Sequence, residues 1–375
     1  MNTPPRATPT PRDDWRRQLV GSVREIQPLI DDGLIDPAQG AELARVTARY
    51  RMQVSAYYLG LVDWNDPDCP IRKQAIPDAA ELLERPMERP DPIGDAAHSP
   101  TELLIHRYPD RALLLPTLRC PMYCRYCFRK VALNTEDIRL HQALDESITY
   151  LSKHPEIKEI ILSGGDPLLL PDARLGKLLE RVLSVPSIKR LRIHTRVPVT
   201  LPMRVDDALA EVLGQARPLY LVAHFNHPRE LTTEATEALE RLVRAGVTVL
   251  NQSVLLKGVN DSAEVLAELC EALVDRQVRP YYLHHPDLTV GTQHFRVSID
   301  DGLALVKRLR GRLTGLAWPT YVIDIPGGLG KVPVDSSHVR RGEHPGEWWM
   351  ESPLGGVHRY LDPAVIVDDA TPEPC

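Results

Sequence analysis

Long apolar runs are missing from this chain. No stretch approaches the roughly 18 apolar residues that a membrane-crossing helix requires, so no spanning helix is expected. The N-terminus, Met1 to Pro11, lacks the apolar segment of a secretory signal, and a cytoplasmic location is the expectation. A basic surplus is also absent. Lys and Arg number 45 against 51 Asp and Glu, net charge -6, with both signs interspersed, which argues against a nucleic-acid partner. Cysteines are few, six in 375 residues, and their even number does not read as a disulfide framework. Three of them crowd into one motif, while Cys69, Cys270 and Cys375 are scattered. What remains is a soluble enzyme as the default, long enough for one large domain with embellishments or for two.

The crowded motif is Cys120-Pro-Met-Tyr-Cys124-Arg-Tyr-Cys127, just after the apolar run Leu113-Leu114-Leu115. A tight loop at the end of a strand turns all three thiols toward one point. Thiolates are soft ligands, suited to zinc or to an iron-sulfur cluster. A structural zinc is closed by a fourth ligand, whereas a [4Fe-4S] cluster on three cysteines keeps one iron open for a substrate. Two plainer readings stand beside this one: a disulfide with a spare thiol, and a zinc completed by a distant His.

Residues 1–12 are rich in Pro and Thr and are expected to be disordered. Residues 13–102 read as an N-terminal helical and extended arm. Trp15, Leu19, Val23 and Ile26 recur at helical spacing, Asp36-Pro37 marks a helix start, and a Pro-rich stretch over Asp66 to Pro100 wraps rather than folding alone. Residues 103–335 read as the core, and 336–375 as a short C-terminal extension. In the core, strands are expected at Ala112–Leu115, Glu159–Leu162, Arg190–Ile193, Leu219–Ala223, Val247–Leu250, Val278–Leu283 and Thr320–Ile323, with amphipathic helices between most of them. This alternation predicts an α/β fold of parallel strands with right-handed crossovers, closing into a partial or full (β/α) barrel. Polar clusters follow the strands: Ser163-Gly164-Gly165-Asp166, His194-Thr195-Arg196, His224-Phe225-Asn226-His227, Asn251-Gln252-Ser253, His284-His285-Pro286-Asp287 and Asp324. Taken singly these are turns and caps, but in register after six strands they mark one rim, where barrel enzymes carry their sites.

Near the end of the core stands Asp324-Ile-Pro-Gly327-Gly328-Leu-Gly330-Lys331. It fails the Walker pattern, because Val332 occupies the Ser/Thr position. A lysine presented by glycines fits a Schiff base with pyridoxal 5'-phosphate (PLP), the glycines lending it freedom to move; the alternative is an ordinary surface lysine.

From about Asp13 to Val334 the sequence resembles the lysine 2,3-aminomutase family, which joins radical S-adenosylmethionine (SAM) chemistry to PLP. The resemblance is carried by Tyr108-Pro-Asp-Arg-Ala-Leu-Leu-Leu, the cysteine triad, Leu-Ser-Gly-Gly-Asp-Pro-Leu, His-Phe-Asn-His-Pro, Asn-Gln-Ser-Val-Leu-Leu-Lys-Gly-Val-Asn-Asp, Arg-Pro-Tyr-Tyr, Gly-Thr-Gln-His-Phe-Arg and Pro-Gly-Gly-Leu-Gly-Lys. It implies a radical SAM barrel with a [4Fe-4S] cluster on Cys120, Cys124 and Cys127, and PLP on Lys331. By the same resemblance Arg107, Tyr108 and Arg111 hold PLP. Ser163, Gly164, Gly165, Asp166, His224 and Gln252 line the SAM and PLP pocket. Arg129 matches the clamp on the substrate carboxylate, and Asp287 and Asp324 match the receptors of its side-chain ammonium. The implied reaction converts L-lysine to β-lysine. Alternatives are a role in modifying elongation factor P, a 2,3-aminomutase for arginine or glutamate and, outside enzymes, an iron-sulfur or zinc binding protein. An electron donor such as flavodoxin or ferredoxin and a homo-oligomeric state are also implied. The sequence departs from the family in three places. Ser262 stands where long members carry a zinc-binding cysteine, only Cys375 remains near the end, and His284 replaces a tyrosine; no zinc is expected.

Overall fold

The computed structural model describes residues 15–134, 140–335, 339–344, 347–352 and 356–361. The expectations for residues 1–12 and for Cys375 lie outside them. Nine strands form one sheet, paired in the order of the chain. They are β1 (Leu104–Tyr108), β2 (Arg111–Thr117), β3 (Glu159–Gly164), β4 (Arg190–Thr195), β5 (Leu219–Ala223), β6 (Thr248–Val254), β7 (Arg279–His284), β8 (Thr320–Asp324) and β9 (Lys331–Pro333). The strands β2 to β8 are parallel, while β1 and β9 run antiparallel to their neighbours at the two edges. A parallel sheet in sequence order, each strand followed by a crossover, winds in one sense. It curls enough for side chains of β2 and β7, Arg111 and Tyr282, to interact, and likewise His194 of β4 and Lys331 of β9. This is a partial (β/α) barrel, as expected.

The helices follow from leucine spacing. In Asp172–Leu183 the buried positions are Leu175, Leu178, Leu179 and Val182, one stripe of a helix. Thr232 caps Thr233–Arg244 by accepting from Ala235 N at 3.1 Å, and that helix buries Ala235, Ala238, Leu239 and Leu242. Along β2 and β4 buried residues alternate with half-buried ones. Ala112 and Leu114 are buried, as are Leu191, Ile193 and Thr195, while Arg192 and His194 fall on the other face. The outer face therefore packs on helices. The other face carries Arg192, His194 and Gln252 beside half-buried Leu113 and Leu250.

Several strands run further than the hydrophobic pattern suggested. Ser163-Gly164, His194-Thr195, Asn251-Gln252-Ser253 and His284 lie within strand ends rather than after them. The ladder needs backbone groups, not apolar side chains, and polar residues stay in it when their own bonds are met. Asn251 Oδ1 accepts from Phe225 N at 2.8 Å, and Ser253 Oγ donates to Phe225 O at 2.7 Å. Two edge strands, β1 and β9, were not read from the sequence. Nor was a second sheet formed by β10 (Val339–Arg341), β11 (Glu347–Glu351) and β12 (Val357–Leu361).

The stretch expected to be helical from Asp13 is three helices, Trp15–Val20, Gln27–Asp31 and Pro37–Arg49, the last capped by Asp36 through Ala38 N at 2.9 Å. Buried apolar side chains of the arm, Ile26, Leu29, Tyr58 and Ile71, join the same core as Leu114, Ile160 and Leu191 of the sheet. No helix among the described residues is long and apolar enough to cross a membrane.

Candidate active site

The cysteine loop leaves β2 and is held from beneath by the arm. Gln53 Nε2 donates to Cys120 O at 2.7 Å, Tyr123 N donates to Gln53 O at 2.9 Å, and Arg125 N donates to Gln74 O at 3.0 Å. Between the cysteines, Arg125 is fully buried and makes two bonds to Glu81, at 2.9 and 2.5 Å. Lys130 adds a third at 2.7 Å and donates to Gly291 O at 3.0 Å. Buried charges are tolerable only when paired and hydrogen-bonded, and Glu81 meets both cations at once.

All five described cysteines are free, and the three of the motif are half-buried. Burial first, then Asp166 and the other two thiols, push Cys120 well above the ordinary thiol range, and burial with Cys124 raises Cys127 to about 11. Three thiols this close resist ionising together unless positive charge sits among them. No three His, Cys, Asp or Glu side chains among the described residues meet at one ion-sized point. Arg196 supplies further positive charge, donating from Nη1 to Cys124 Sγ at 2.8 Å, while its Nη2 donates to Gln74 at 2.6 Å and Glu230 at 2.7 Å.

Behind the loop run Ser163, Gly164 and Gly165. A Cβ on Gly165 would lie 2.3 Å from Arg119 O and 2.5 Å from Leu118 C, so only glycine lets β3 pass under the cysteine loop. Gly164, at φ +107°, needs its glycine for conformation as well. Asp166, expected to line the pocket, is buried with its carboxylate filled. It accepts from Thr195 Oγ1 at 2.7 Å, Arg196 N at 2.7 Å, Val197 N at 3.1 Å and Leu168 N at 3.1 Å. In this arrangement it ties β3 to β4 beneath Cys120. Ser163 Oγ accepts from Arg129 at 3.4 Å, His224 meets Tyr126 Oη at 3.2 Å, and Gln252 shares the half-buried face of β6 with Leu250 and Val254.

The second centre lies around Lys331. Its ammonium donates to Asp324 and lies 3.2 Å from His284 Nδ1. Its backbone N donates to Tyr108 Oη at 2.8 Å, and Arg111 stacks on the Tyr108 ring at 3.8 Å while pairing with Asp110. Asp287 interacts electrostatically with Asp324, Lys331 and Arg129, so the two aspartates, the lysine and the arginine are brought together. Burial and then Asp324 raise Asp287 to about 7. Burial also opposes ionisation of Asp324, but its neighbours His284 and Lys331 outweigh it and hold Asp324 at about 2.

Asp95, from the Pro-rich stretch, bridges two arginines: it accepts from Arg107 Nη2 at 2.9 Å and from Arg129 Nε at 2.9 Å. Arg107 Nε, Arg129 Nη2, His194 Nε2 and His284 Nε2 are buried with no hydrogen-bond partner among the described residues. Each such atom costs about 1–3 kcal/mol unless a ligand meets it. Cationic donors, a lysine and two neutral imidazoles fit a cofactor with a phosphate and a polar ring, together with an amino acid carboxylate. The glycines before Lys331 also meet the arm. Gly327 N donates to Pro92 O at 2.8 Å, and a Cβ on Gly328 would lie 2.9 Å from Ile93 O and 2.5 Å from His98. Gly328 thus admits the arm's backbone. Ser262 caps the helix Ala263–Asp275, accepting from Val265 N at 3.2 Å.

The sequence pattern did not single out Gln53, Gln74, Glu81, Asp95 or Glu230. Arg196 and His194 were visible only as members of a polar cluster after β4.

Residues 114–270, from within β2 through the cysteine loop and past β6, match the model of the radical SAM superfamily. The chain is 38% identical over 372 residues to an L-lysine 2,3-aminomutase of Fusobacterium nucleatum subsp. nucleatum, covering 99% of this chain and 86% of that protein. It is 40% identical over 333 residues to an L-lysine 2,3-aminomutase of Clostridium subterminale, 88% of this chain and 80% of the other. A glutamate 2,3-aminomutase of Clostridioides difficile is 36% identical over 326 residues, 86% of this chain and 77% of that one.

Proposed function

The chain belongs to the lysine 2,3-aminomutase family of the radical SAM superfamily, and from that premise we propose that it moves the amino group of L-lysine from the α- to the β-carbon. As a member of this family it is an isomerase that works on an amino acid with a [4Fe-4S] cluster, SAM and PLP. When bound, the cluster and SAM supply a radical that removes and returns a hydrogen atom, and PLP supplies the π-system across which nitrogen migrates.

Cys120, Cys124 and Cys127 hold the cluster, with Arg196 balancing charge at Cys124. Lys331 carries PLP, Arg107, Tyr108 and Arg111 hold it, and Ser163 to Asp166, His224 and Gln252 complete the walls around SAM and PLP. Arg129 spends Nε on Asp95 and keeps Nη2 for the substrate carboxylate. Asp287 and Asp324 receive the side-chain ammonium. The observation that carries the choice of lysine is the presence of two aspartates near Lys331 and Arg129, with Asp324 bonded to Lys331 and Asp287 interacting with all three. An ammonium taken out of water needs carboxylates, and the same carboxylates repel glutamate. The residues' task is to position the substrate and exclude water. An external one-electron donor, of flavodoxin or ferredoxin type, and self-association belong to the same proposal.

The test is anaerobic reconstitution with SAM and PLP and a panel of lysine, arginine and glutamate, with products identified by NMR. Lysine should give β-lysine fastest, and Asp324→Asn should raise its KM by about 10- to 100-fold, the loss of one charge-assisted contact, with iron and PLP content unchanged. Equal turnover of glutamate by the unaltered chain sinks the assignment of lysine.

A further inference from the structure

His284 has no part in the reading above, yet its ring touches the atoms that would have to react. Nδ1 lies 3.2 Å from Lys331 Nζ and 3.5 Å from Asp324 Oδ2, and Lys331 Nζ also donates to Asp324. An ammonium only donates, so Nδ1 accepts in this contact and the ring proton belongs on Nε2, which is buried without a partner. The groups around the ring come from four strands and one loop: Lys331 on β9, Asp324 on β8, Tyr282 on β7 with rings 5.6 Å apart, His194 on β4 and His224 just after β5.

A lysine carries out Schiff-base chemistry only as a free amine. Two acceptors touch the Lys331 ammonium, and they differ sharply as bases. Against the effect of burial, Lys331 holds Asp324 below the ordinary carboxylate range, so Asp324 keeps Lys331 in place without discharging it. Burial first, then Lys331 itself, lowers His284, with Asp324 acting against both, so the imidazole is neutral and its lone pair faces Nζ.

We propose that His284 is the proton-transfer residue for Lys331, taking the ammonium proton as the lysine condenses with PLP and returning it to the leaving oxygen. This rests on the assignment of PLP to Lys331. The balance closes within the site. The ammonium proton moves to His284 Nδ1, and Nζ adds to the aldehyde carbon and forms a C–N bond. The carbon–oxygen bond then breaks, and the oxygen leaves as water with the proton from His284 and one from Nζ. Asp324, 3.5 Å from Nδ1, stabilises the transient imidazolium.

The test follows PLP uptake by the full chain stripped of cofactor, reading the absorbance of lysine-bound PLP and trapping the adduct with borohydride for peptide mapping. For His284→Ala the uptake rate at pH 7 should fall by at least about ten-fold, with the same final stoichiometry. Its rate should climb more steeply with pH than that of the unaltered chain, because solvent base must then take the proton that His284 takes. Added imidazole should restore the rate. An unchanged rate, or a slower one with the original pH profile and no rescue, overturns the proposal, the latter by showing that His284 only packs. Label on a lysine other than Lys331 fails the cofactor assignment instead, a result distinct from either.

Discussion

Asp287 and Asp324 are two neighbouring aspartates whose surroundings push them in opposite directions. An ordinary aspartate titrates near 3.9, and Asp324 is held at about 2 while Asp287 is raised to about 7. Asp324 therefore adds stability above the ordinary carboxylate range and loses it as pH falls from about 4 to 2. Asp287 works the other way. Its folded form keeps a proton that the unfolded chain gives up, so the folded state is penalised as pH rises from about 4 through 7. An amide has no such titration. Asp287→Asn should melt at a higher temperature than the unaltered chain at pH 8 and show no such gain at pH 4, while binding lysine more weakly. A pH-independent difference in melting temperature would show that Asp287 is not buried against Asp324. Site residues of this kind were legible in the sequence because three thiols, a glycine-flanked lysine and acids at strand ends form patterns. Glu81, Asp95 and Gln74 were not, because they sit in the arm where no local pattern marks a burial that only tertiary packing confers.

At the scale of elements, seven parallel strands and the helices between them followed from alternating short apolar runs and leucine stripes. What escaped was every strand whose pairing is decided elsewhere. The β1 sequence Leu-Ile-His-Arg-Tyr has too few apolar residues to announce itself, and it exists because β2 offers an antiparallel edge. Strand β9 is three residues long and lies against β8. The crossing of β3 beneath the cysteine loop shows how tightly the elements determine the site. Two backbones meet at Gly165, and neither can yield as a side chain could. Gly165→Ala should cost about 1–3 kcal/mol of stability, the usual range for overpacking. The strain falls on Leu118 and Arg119, next to Cys120, so iron content after reconstitution should drop although the far-ultraviolet circular dichroism stays that of the intact barrel. Full iron content in this variant would mean that the loop takes up the methyl group without moving its cysteines.

For the whole molecule, the open question is whether the arm is an accessory or part of the enzyme's single cooperative unit. The arm visits each part of the rim. It meets the cysteine loop through Gln53, Gln74 and Glu81, the two arginines through Asp95, the glycine-rich loop through Pro92, and the segment after Asp287 through Arg89, whose N donates to Leu288 O at 2.8 Å. It also shares the main hydrophobic core. A segment tied this way to every part of the site cannot detach without taking the site apart, so arm and barrel should unfold together. Glu81 is the place to test this, because one carboxylate, fully buried, neutralises both Arg125 and Lys130. Glu81→Gln keeps the shape and leaves two buried cations facing an amide. Breaking a buried ion pair from one side costs about 3–5 kcal/mol. Denaturant unfolding can be followed by tryptophan fluorescence, with Trp15 and Trp64 in the arm and Trp318 at the far end of the barrel, alongside loss of bound PLP. In the unaltered chain both signals should give one midpoint, and in Glu81→Gln both should move down by the same amount. A variant that loses the cysteine loop early while the Lys331 centre melts at its original midpoint would show the arm to be a separable unit.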